Sequence, residues 1–224
     1  TKYMKRVKDN KRVYRDSEKK EKPSILGEIL GFVKTFVVTA IVFFLFVNFI
    51  AHPVNIVGRS MHPNLQDGEF GFTSKISLFI GEVKRGDVVV VTMEEKGKET
   101  HWVKRIVGMP GETVSCKDDV IYINGEALDE SAYIDEAYKK KMVEQYGYFN
   151  KMPKNYYDEE REITVAVAED FEEVTLGKDE YFVMGDNRIV SKDSRDPSVG
   201  PVKKDQLFGK QILVFYPFSH IGIH

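Results

Sequence analysis

The stretch that decides how this chain is built runs from Thr35 to Ala51 and reads TFVVTAIVFFLFVNFIA. It holds no charged residue, and its polar residues are Asn48 and two threonines. As an α-helix it rises about 26 Å, and extension back through residues 25–34 brings it past the ~30 Å of a bilayer core. A helix that is apolar all round lacks the polar stripe of a soluble surface helix. The pattern therefore predicts a membrane-spanning helix over residues 25–51.

Two other interpretations of this stretch are a buried core helix and a cleavable signal peptide. The missing polar stripe argues against the first. A signal peptide has a short basic head and a small-x-small cleavage site after its apolar run. Here 34 residues precede Thr35, and residues 49–53 read FIAHP, which offers no such site. We therefore expect an uncleaved anchor.

The charges are distributed unevenly on the two sides of this anchor. Of the 33 Lys/Arg and 35 Asp/Glu in the chain, residues 1–51 hold 11 and 5, a net of +6. This leaves 22 and 30 for residues 52–224, a net of −8. Basic residues stay on the cytoplasmic side of a membrane. The sequence thus predicts a basic cytoplasmic tail over residues 1–24, an anchor over 25–51 and an extracytoplasmic domain over 52–224.

Beyond Pro53 the sequence pattern becomes typical of β-strands. Asp87–Thr92 is a β-branched run, and residues 101–107 form the returning strand of a predicted hairpin. The other predicted strands are Val120–Ile123, followed by the turn pair Asn124-Gly125, then Glu180–Met184 and Gln211–Tyr216. The exported part is therefore expected to be mainly β with little helix.

Residues 129–162 depart from this pattern because they are rich in charge and in tyrosine. We interpret them as an insertion that leaves the main sheet and is partly helical. The sequence does not predict a role for this insertion.

Composition excludes several function classes. The formal net charge of −2 argues against a general nucleic-acid binder. The single cysteine, Cys116, excludes an internal disulfide framework and a Cys-rich zinc site. No Walker loop, GxGxxG, HExxH or CxxC motif is present, which removes the common nucleotide and zinc interpretations. We predict no metal and no cofactor.

Three segments carry candidate chemistry. Residues 57–65 read VGRSMHPNL, residues 103–111 read VKRIVGMPG, and residues 184–195 read MGDNRIVSKDSR. In these segments the sequence resembles the type I signal peptidases, which are membrane-anchored Ser/Lys proteases. Their motifs read Ser-Met-x-Pro-Thr-Leu, Lys-Arg-x-x-Gly-x-Pro-Gly and Gly-Asp-Asn-Arg-x-x-Ser-x-Asp-Ser-Arg. All three occur here in the family's order behind an anchor, and the resemblance runs from about residue 28 to Pro217.

The resemblance implies that Ser60 is the nucleophile and Lys104 the general base of an exported antiparallel sheet or barrel-like protease domain. A serine hydroxyl attacks only when a base takes its proton, and a lysine is a base only when neutral. Free lysine titrates near ~10.4, so work near pH 8 requires its pKa to fall by roughly 2 units. Burial shifts an ammonium in that direction. On a strand, Lys104 shares its face with Trp102 and Ile106, while Arg105 points away.

The resemblance also implies a set of supporting residues. Ser191 would hydrogen-bond the Lys104 amine, two ion pairs would brace the site, and a glycine would allow close backbone approach. The ion pairs join Asp193 with Arg195 and Asp186 with Arg105, and the glycine is Gly185. Backbone N–H groups of Ser60 and Gly58 would bind the oxyanion, since Gly58 stands where some relatives have a serine. The expected substrate subsites are lined by Ile56, Met61, Leu65, Trp102 and Val103.

The predicted activity is removal of signal peptides from exported preproteins after small-x-small sites, at the outer face of the membrane lipid. No nucleic-acid partner is predicted, and oligomeric state is left open. One alternative is a catalytically inactive, signal-peptidase-like assembly factor for surface proteins or pili, although both Ser60 and Lys104 are present. A self-cleaving Ser/Lys repressor would be soluble and bind DNA, and an exported binding module would cleave nothing.

Overall fold

The computed structural model describes residues 24–158 and 163–224. The predicted cytoplasmic tail lies outside the described residues except for Ser24, as do residues 159–162 of the predicted insertion. The chain divides into two compact units, Thr1–Leu45 and Phe46–His224.

The first unit contains helix α1, Ile25–Leu45. The second unit begins with the π-helical residues Phe46–Ile50. The 26-residue segment Ile25–Ile50 is long and apolar enough to cross a membrane, and its most apolar part has no buried residue. The hydroxyl of Thr35 donates a hydrogen bond to the Gly31 carbonyl at 3.0 Å, so this polar side chain is satisfied within the helix. The predicted apolar helix is therefore present and ends one residue earlier than expected.

The second unit is built mainly from antiparallel strands, as predicted. Its largest sheet has eight strands, namely β1 (His52–Asn55), β2 (Phe70–Ser74), β3 (Val88–Glu95), β4 (Lys98–Gly108), β11 (Glu180–Met184), β12 (Val202–Lys203), β13 (Leu207–Tyr216) and β14 (Gly222–Ile223). Their order in the sheet is β1-β2-β13-β3-β4-β11-β12, and β14 pairs with β13. Three short helices accompany them, α2 (Ser77–Ile80) and the 3-10 turns Lys204–Gln206 and Phe218–His220.

Strands β3 and β4 form the predicted hairpin. Val88 pairs with Arg105 and Val89 with Lys104, and the strands continue to a tight turn at Lys96-Gly97. Both turn residues have positive φ, 53° and 74°, which the two-residue hairpin turn requires. The hairpin is therefore longer than the sequence predicted, because charged residues at its exposed end continue the ladder.

The other strands form two smaller sheets. One has the order β10-β5-β6-β7 and the other pairs β8 with β9. Their bounds are β5 (Thr113–Lys117), β6 (Val120–Ile123), β7 (Glu126–Ala127), β8 (Met152–Asp158), β9 (Ile163–Glu169) and β10 (Val174–Thr175). The predicted turn pair Asn124-Gly125 joins β6 to β7, again with positive φ at both residues.

Residues 129–162, interpreted above as an insertion, contain a helix, as predicted. Helix α3 spans Glu136–Tyr146. The Asp135 side chain caps its first turn by accepting a hydrogen bond from the Tyr138 N–H, and Gly147 ends it in the left-handed conformation. The β8–β9 hairpin follows the helix and was not predicted.

The core of the large sheet explains the β-branched run. Val88–Val91 are all buried, since the sheet is covered on both faces. On one face Val88 and Val90 pack with Met61, Leu65 and the apolar residues of β13. On the other face Val89 and Val91 pack with Ile106 of β4 and Val183 of β11.

Candidate active site

Ser60 lies in a turn that follows β1. The buried side chains of Met61 and Leu65, 1% and 0% exposed, hold this turn in the core. The Leu65 N–H donates to the Met61 carbonyl at 2.9 Å and closes the turn. Ser60 itself is half-buried and lines a cleft of about 610 Å³.

Lys104 reaches the same cleft from β4. Lys104 is 4% exposed, and its amine lies 5.5 Å from the centroid of the Trp102 ring. Burial lowers the pKa of Lys104 to about 8; the carboxylates of Asp193 and Asp186 oppose this shift, and the Arg195 charge adds to it. An exposed strand lysine would keep its amine in water, so this position is unusual for the residue type.

Ser60 and Lys104 both line this cleft. Its lining consists of Asn55, Ile56, Val57, Gly58, Arg59, Ser60, Met61, Asp67, Glu95, His101, Trp102, Val103, Lys104, Val190 and Lys192. Among the hydrogen bonds of the described residues, none joins the Ser60 hydroxyl to the Lys104 amine. Hydrogen bonds between catalytic groups are often long without substrate and tighten in the complex.

The segment that leaves β11 packs directly on the Ser60 turn. The Asn187 N–H donates to the Ser60 carbonyl at 2.9 Å. A Cβ on Gly185 would overlap the Ser60 carbonyl oxygen and the Ser191 hydroxyl. Only a glycine therefore lets this segment approach the nucleophile turn so closely.

Two buried ion pairs hold this segment in place. Arg105 donates from Nε to Asp186 Oδ1 at 2.8 Å and from Nη2 to Asp186 Oδ2 at 2.7 Å. Arg195 donates from Nε to Asp193 Oδ1 at 2.8 Å, and both side chains are fully buried. Burial opposes ionisation of Asp193, but the charge of Arg195 and its hydrogen bonds outweigh burial and lower the pKa of that carboxyl. The Asp193 carboxylate is thus stabilised as an anion.

Ser191 is buried beside Gly185, and its hydroxyl contributes to lowering the pKa of the Asp193 carboxyl. Among the described residues, no hydrogen bond joins the Ser191 hydroxyl to the Lys104 amine, the contact that the resemblance implies.

The backbone around Ser60 leaves one of the two predicted oxyanion donors available. Gly58 adopts a φ of 90°, and its N–H donates to Asp67 Oδ1 at 2.8 Å. That N–H is occupied, so the expectation of two backbone donors is reduced to the Ser60 N–H. No hydrogen bond within the described part of the chain uses the Ser60 N–H.

Four of the five predicted subsite residues line the cleft, namely Ile56, Met61, Trp102 and Val103. Leu65 does not. Its side chain is fully buried in the core cluster with Val88 and Val90. Packing of the turn against the sheet therefore explains Leu65 without a substrate contact.

Sequence reasoning missed several residues of the site. Asp67 holds Gly58, and Val190 and Lys192 line the cleft from the segment after β11. Val190 is 56% exposed and follows Ile189. Its position beside Ser191 in the third motif is the signal that could have identified it. Over residues 24–158 and 163–224, no cluster of three His, Cys, Asp or Glu side chains is suited to hold a metal.

Comparison with known proteins finds a matching family model and several similar proteins. The sequence model of the family described as signal peptidase, peptidase S26, matches residues 29–216. Signal peptidase I T of Bacillus subtilis (strain 168) is 38% identical over 188 residues, covering 84% of this chain and 86% of that protein. Signal peptidase I of Bacillus licheniformis is 36% identical over 195 residues, covering 87% of this chain and 92% of that protein. A crystal structure of a signal peptidase I from Enterococcus faecalis V583 is 31% identical, covers 58% of this chain and 97% of that chain, and has a TM-score of 0.39.

Proposed function

We propose, since this chain belongs to the signal peptidase family, peptidase S26, that Ser60 is its nucleophile and Lys104 its general base. Membership of this family makes the chain a serine endopeptidase that removes signal peptides from preproteins. The apolar segment Ile25–Ile50 anchors it in a membrane. The assignment of the two catalytic groups is the step that the geometry supports.

The observation that carries the assignment is the buried amine of Lys104 in the cleft that Ser60 lines. Burial disfavours the charged ammonium, and the pKa of about 8 leaves a substantial neutral fraction near neutral pH. A neutral amine can accept a proton from a hydroxyl, whereas an ammonium cannot. The cleft therefore supplies a serine and a base of matched chemistry.

The reaction then proceeds in two halves. Lys104 Nζ takes the Ser60 hydroxyl proton while Oγ attacks the scissile carbonyl carbon, and the carbonyl oxygen becomes an anion near the Ser60 N–H. Collapse of this intermediate breaks the peptide C–N bond, and the Lys104 ammonium returns its proton to the leaving amine. A water that loses a proton to Lys104 attacks the ester, and Ser60 leaves with that proton restored.

The segment 185–195, most of whose residues are buried, would fix the two groups in place. Gly185 allows it to contact the Ser60 turn, and the ion pair of Asp186 with Arg105 links it to the strand that carries Lys104. The Asp193–Arg195 pair holds the segment internally. The buried Ser191 hydroxyl lies in the same segment and would hydrogen-bond the Lys104 amine when substrate is bound.

The substrate would lie extended along the cleft. An extended peptide can pair with backbone groups at the edge of a strand while alternate side chains enter subsites. Ile56, Met61, Trp102 and Val103 give these subsites an apolar lining. The two small residues that precede the cleavage site, in the small-x-small pattern, suit such shallow surfaces.

The charge distribution supports an orientation with residues 1–24 in the cytoplasm and the catalytic domain outside. Ser60 follows the end of the predicted anchor at Ala51 by nine residues. A fully extended tether of this length reaches only about 30 Å. The nucleophile is thereby kept close to the outer leaflet, where a membrane-embedded signal peptide presents its cleavage site.

The assignment is tested with the purified full chain in detergent and a preprotein that has a small-x-small site. Ser60→Ala and Lys104→Ala are each expected to lower the cleavage rate by about 10²–10⁴-fold or more, because each removes a group that transfers a proton or forms the acyl bond. Lys104→Arg is expected to be inactive too, since arginine stays protonated. N-terminal sequencing of the product locates the cut.

Matched controls are Ser198→Ala and Lys117→Ala, which alter an exposed serine and an exposed strand lysine. Both should cleave at the wild-type rate. Near-native cleavage by Lys104→Ala would refute the base assignment. An inert wild-type chain would favour the alternative of a non-catalytic assembly factor.

A further inference from the structure

Asn64 uses both hydrogens of its side-chain amide to join two separate parts of the molecule. Its Nδ2 donates to Asp186 Oδ2 at 2.8 Å and to the carbonyl oxygen of Tyr133 at 2.7 Å. Asp186 belongs to the segment that leaves β11, and Tyr133 belongs to the insertion that precedes α3. One side chain of the nucleophile turn therefore contacts both.

The residue type matters for this arrangement. The family motif has threonine at this place, and a threonine hydroxyl has a single hydrogen to donate. An asparagine amide has two hydrogens in one plane and can satisfy two acceptors at once. Both acceptors are present here. Asn64 satisfies both of them, whereas a threonine at this position could donate to only one.

The contact of Asn64 with Asp186 is one of two that fasten the Ser60 turn to the segment after β11. The other is the hydrogen bond from the Asn187 N–H to the Ser60 carbonyl at 2.9 Å. The two contacts involve neighbouring residues, 186 and 187, and reach the turn at residues four apart. Two attachments at separate points restrict rotation of the turn, whereas one alone would act as a pivot.

The Tyr133 end of the link is itself firmly held. Glu130 forms a 2.5 Å ion pair with Arg188, whose side chain is fully buried. The Tyr133 hydroxyl donates to Glu130 at 3.0 Å, and the Arg105 guanidinium lies 4.5 Å from the Tyr133 ring centroid. The carbonyl that accepts from Asn64 is therefore fixed by buried groups of the same network.

The insertion has further contacts with the catalytic segments. Asn150 accepts a hydrogen bond from Arg188 through its side chain and another from Arg195 through its carbonyl, the latter at 3.1 Å. The Tyr138 ring of α3 makes an edge contact with the His62 ring, with centroids 5.9 Å apart. Residues 129–150 are thus joined to the nucleophile turn and to the third motif alike.

We propose that Asn64 is a positioning residue that fixes Ser60 relative to Lys104, acting through Asp186 and through the carbonyl of Tyr133. On this proposal residues 129–150 are a structural support of the active site rather than a separate appendage. The inference rests on the proposed role of Ser60 as nucleophile. It adds a residue and a segment to which that function assigns no part.

The test measures single-turnover cleavage of a preprotein by the full chain in detergent, with the enzyme in saturating excess. The limiting rate constant then reports the chemical step in folded enzyme and is not scaled by any inactive fraction. Asn64→Leu keeps a similar size without donors and should lower this rate constant about tenfold to a hundredfold, as a misplaced nucleophile does. Asn64→Thr, which retains one donor, should fall between Asn64→Leu and wild type.

The matched control is Asn155→Leu, which removes an exposed amide on β8 outside that segment and should leave the rate constant unchanged. If Asn64→Leu does not fold, the intermediate rate of Asn64→Thr still decides the matter. A wild-type limiting rate constant in the Asn64 variants, with only the yield of folded enzyme or its thermal stability reduced, would overturn the proposal. Cleavage that survives in Ser60→Ala or Lys104→Ala would instead refute the proposed function, whatever the Asn64 variants do.

Discussion

At the scale of single residues, the proposed chemistry depends on the protonation of one buried amine. Burial is the main cause that lowers the pKa of Lys104 to about 8, and the nearby carboxylates of Asp193 and Asp186 moderate the shift. Because the neutral Lys104 amine is the proposed base, kcat/KM should rise with pH through about 8 and then level off. A pH–rate profile measured on a preprotein substrate checks this expectation.

Two histidines near the cleft are the alternative candidates for the base. His101 lines the cleft and His52 lies close by, both against the Phe208 ring. His52→Gln and His101→Gln should leave the position of the step on the pH axis unchanged. A step near 6.5 that disappears in either variant would identify a histidine as the base.

The buried Lys104 amine should destabilise the folded protein at pH values below its pKa, where the amine is charged. The pKa of about 8 in the folded protein lies below the ordinary lysine value of 10.5, so the unfolded chain binds more protons between these two pH values and the free energy of unfolding rises with pH there. Lys104→Met removes the buried amine and should raise the free energy of unfolding by about 3 kcal/mol at pH 7, from 1.36 kcal/mol per unit. The gain should disappear near pH 10.5. Chemical denaturation of both chains in detergent at several pH values measures it.

At the scale of elements, the decisive feature is the close approach of the segment after β11 to the Ser60 turn. A methyl group on Gly185 would overlap the Ser60 carbonyl and the Ser191 hydroxyl, so Gly185→Ala must push the two segments apart. Overpacking of this kind costs about 1–3 kcal/mol. The displaced nucleophile should lower kcat about a hundredfold. Cleavage kinetics and thermal unfolding measure the two effects.

Gly222→Ala is the matched control for this prediction, because its Cβ would make only an ordinary van der Waals contact with His224. It should keep both activity and stability. Full activity in Gly185→Ala would show that the close approach has no part in holding the nucleophile.

At the scale of the whole molecule, the sequence separates a basic end from an acidic domain on the two sides of an apolar segment. The positive-inside rule then predicts that the acidic domain lies outside the cell. Ser198→Cys should react with a membrane-impermeant maleimide in intact cells, whereas Ser17→Cys in the basic tail should react only after lysis. The native Cys116 should stay unlabelled, since burial raises the pKa of its thiol to about 12. Labelling of Ser17→Cys before lysis would show that the orientation is the opposite of the predicted one.

Patterns within a few residues were enough to predict much of this protein. The apolar segment, the β3–β4 hairpin, the Asn124-Gly125 turn and the three motifs are all local, because helix, strand and turn preferences act between near neighbours. The β1 and β2 strands and the β8–β9 hairpin escaped prediction. Strands such as His52–Asn55 are short, and they are stabilised by pairing with distant partners rather than by their own sequence.

Only the tertiary structure decided how the motif residues are used. It placed Leu65 in the core instead of the cleft, gave the Gly58 N–H to Asp67, and brought Asn64 between Asp186 and Tyr133. Residues 64 and 186 are 122 positions apart. Which donor meets which acceptor over such a separation depends on the packing of the whole domain, since each buried polar group takes the partner that the fold brings within reach.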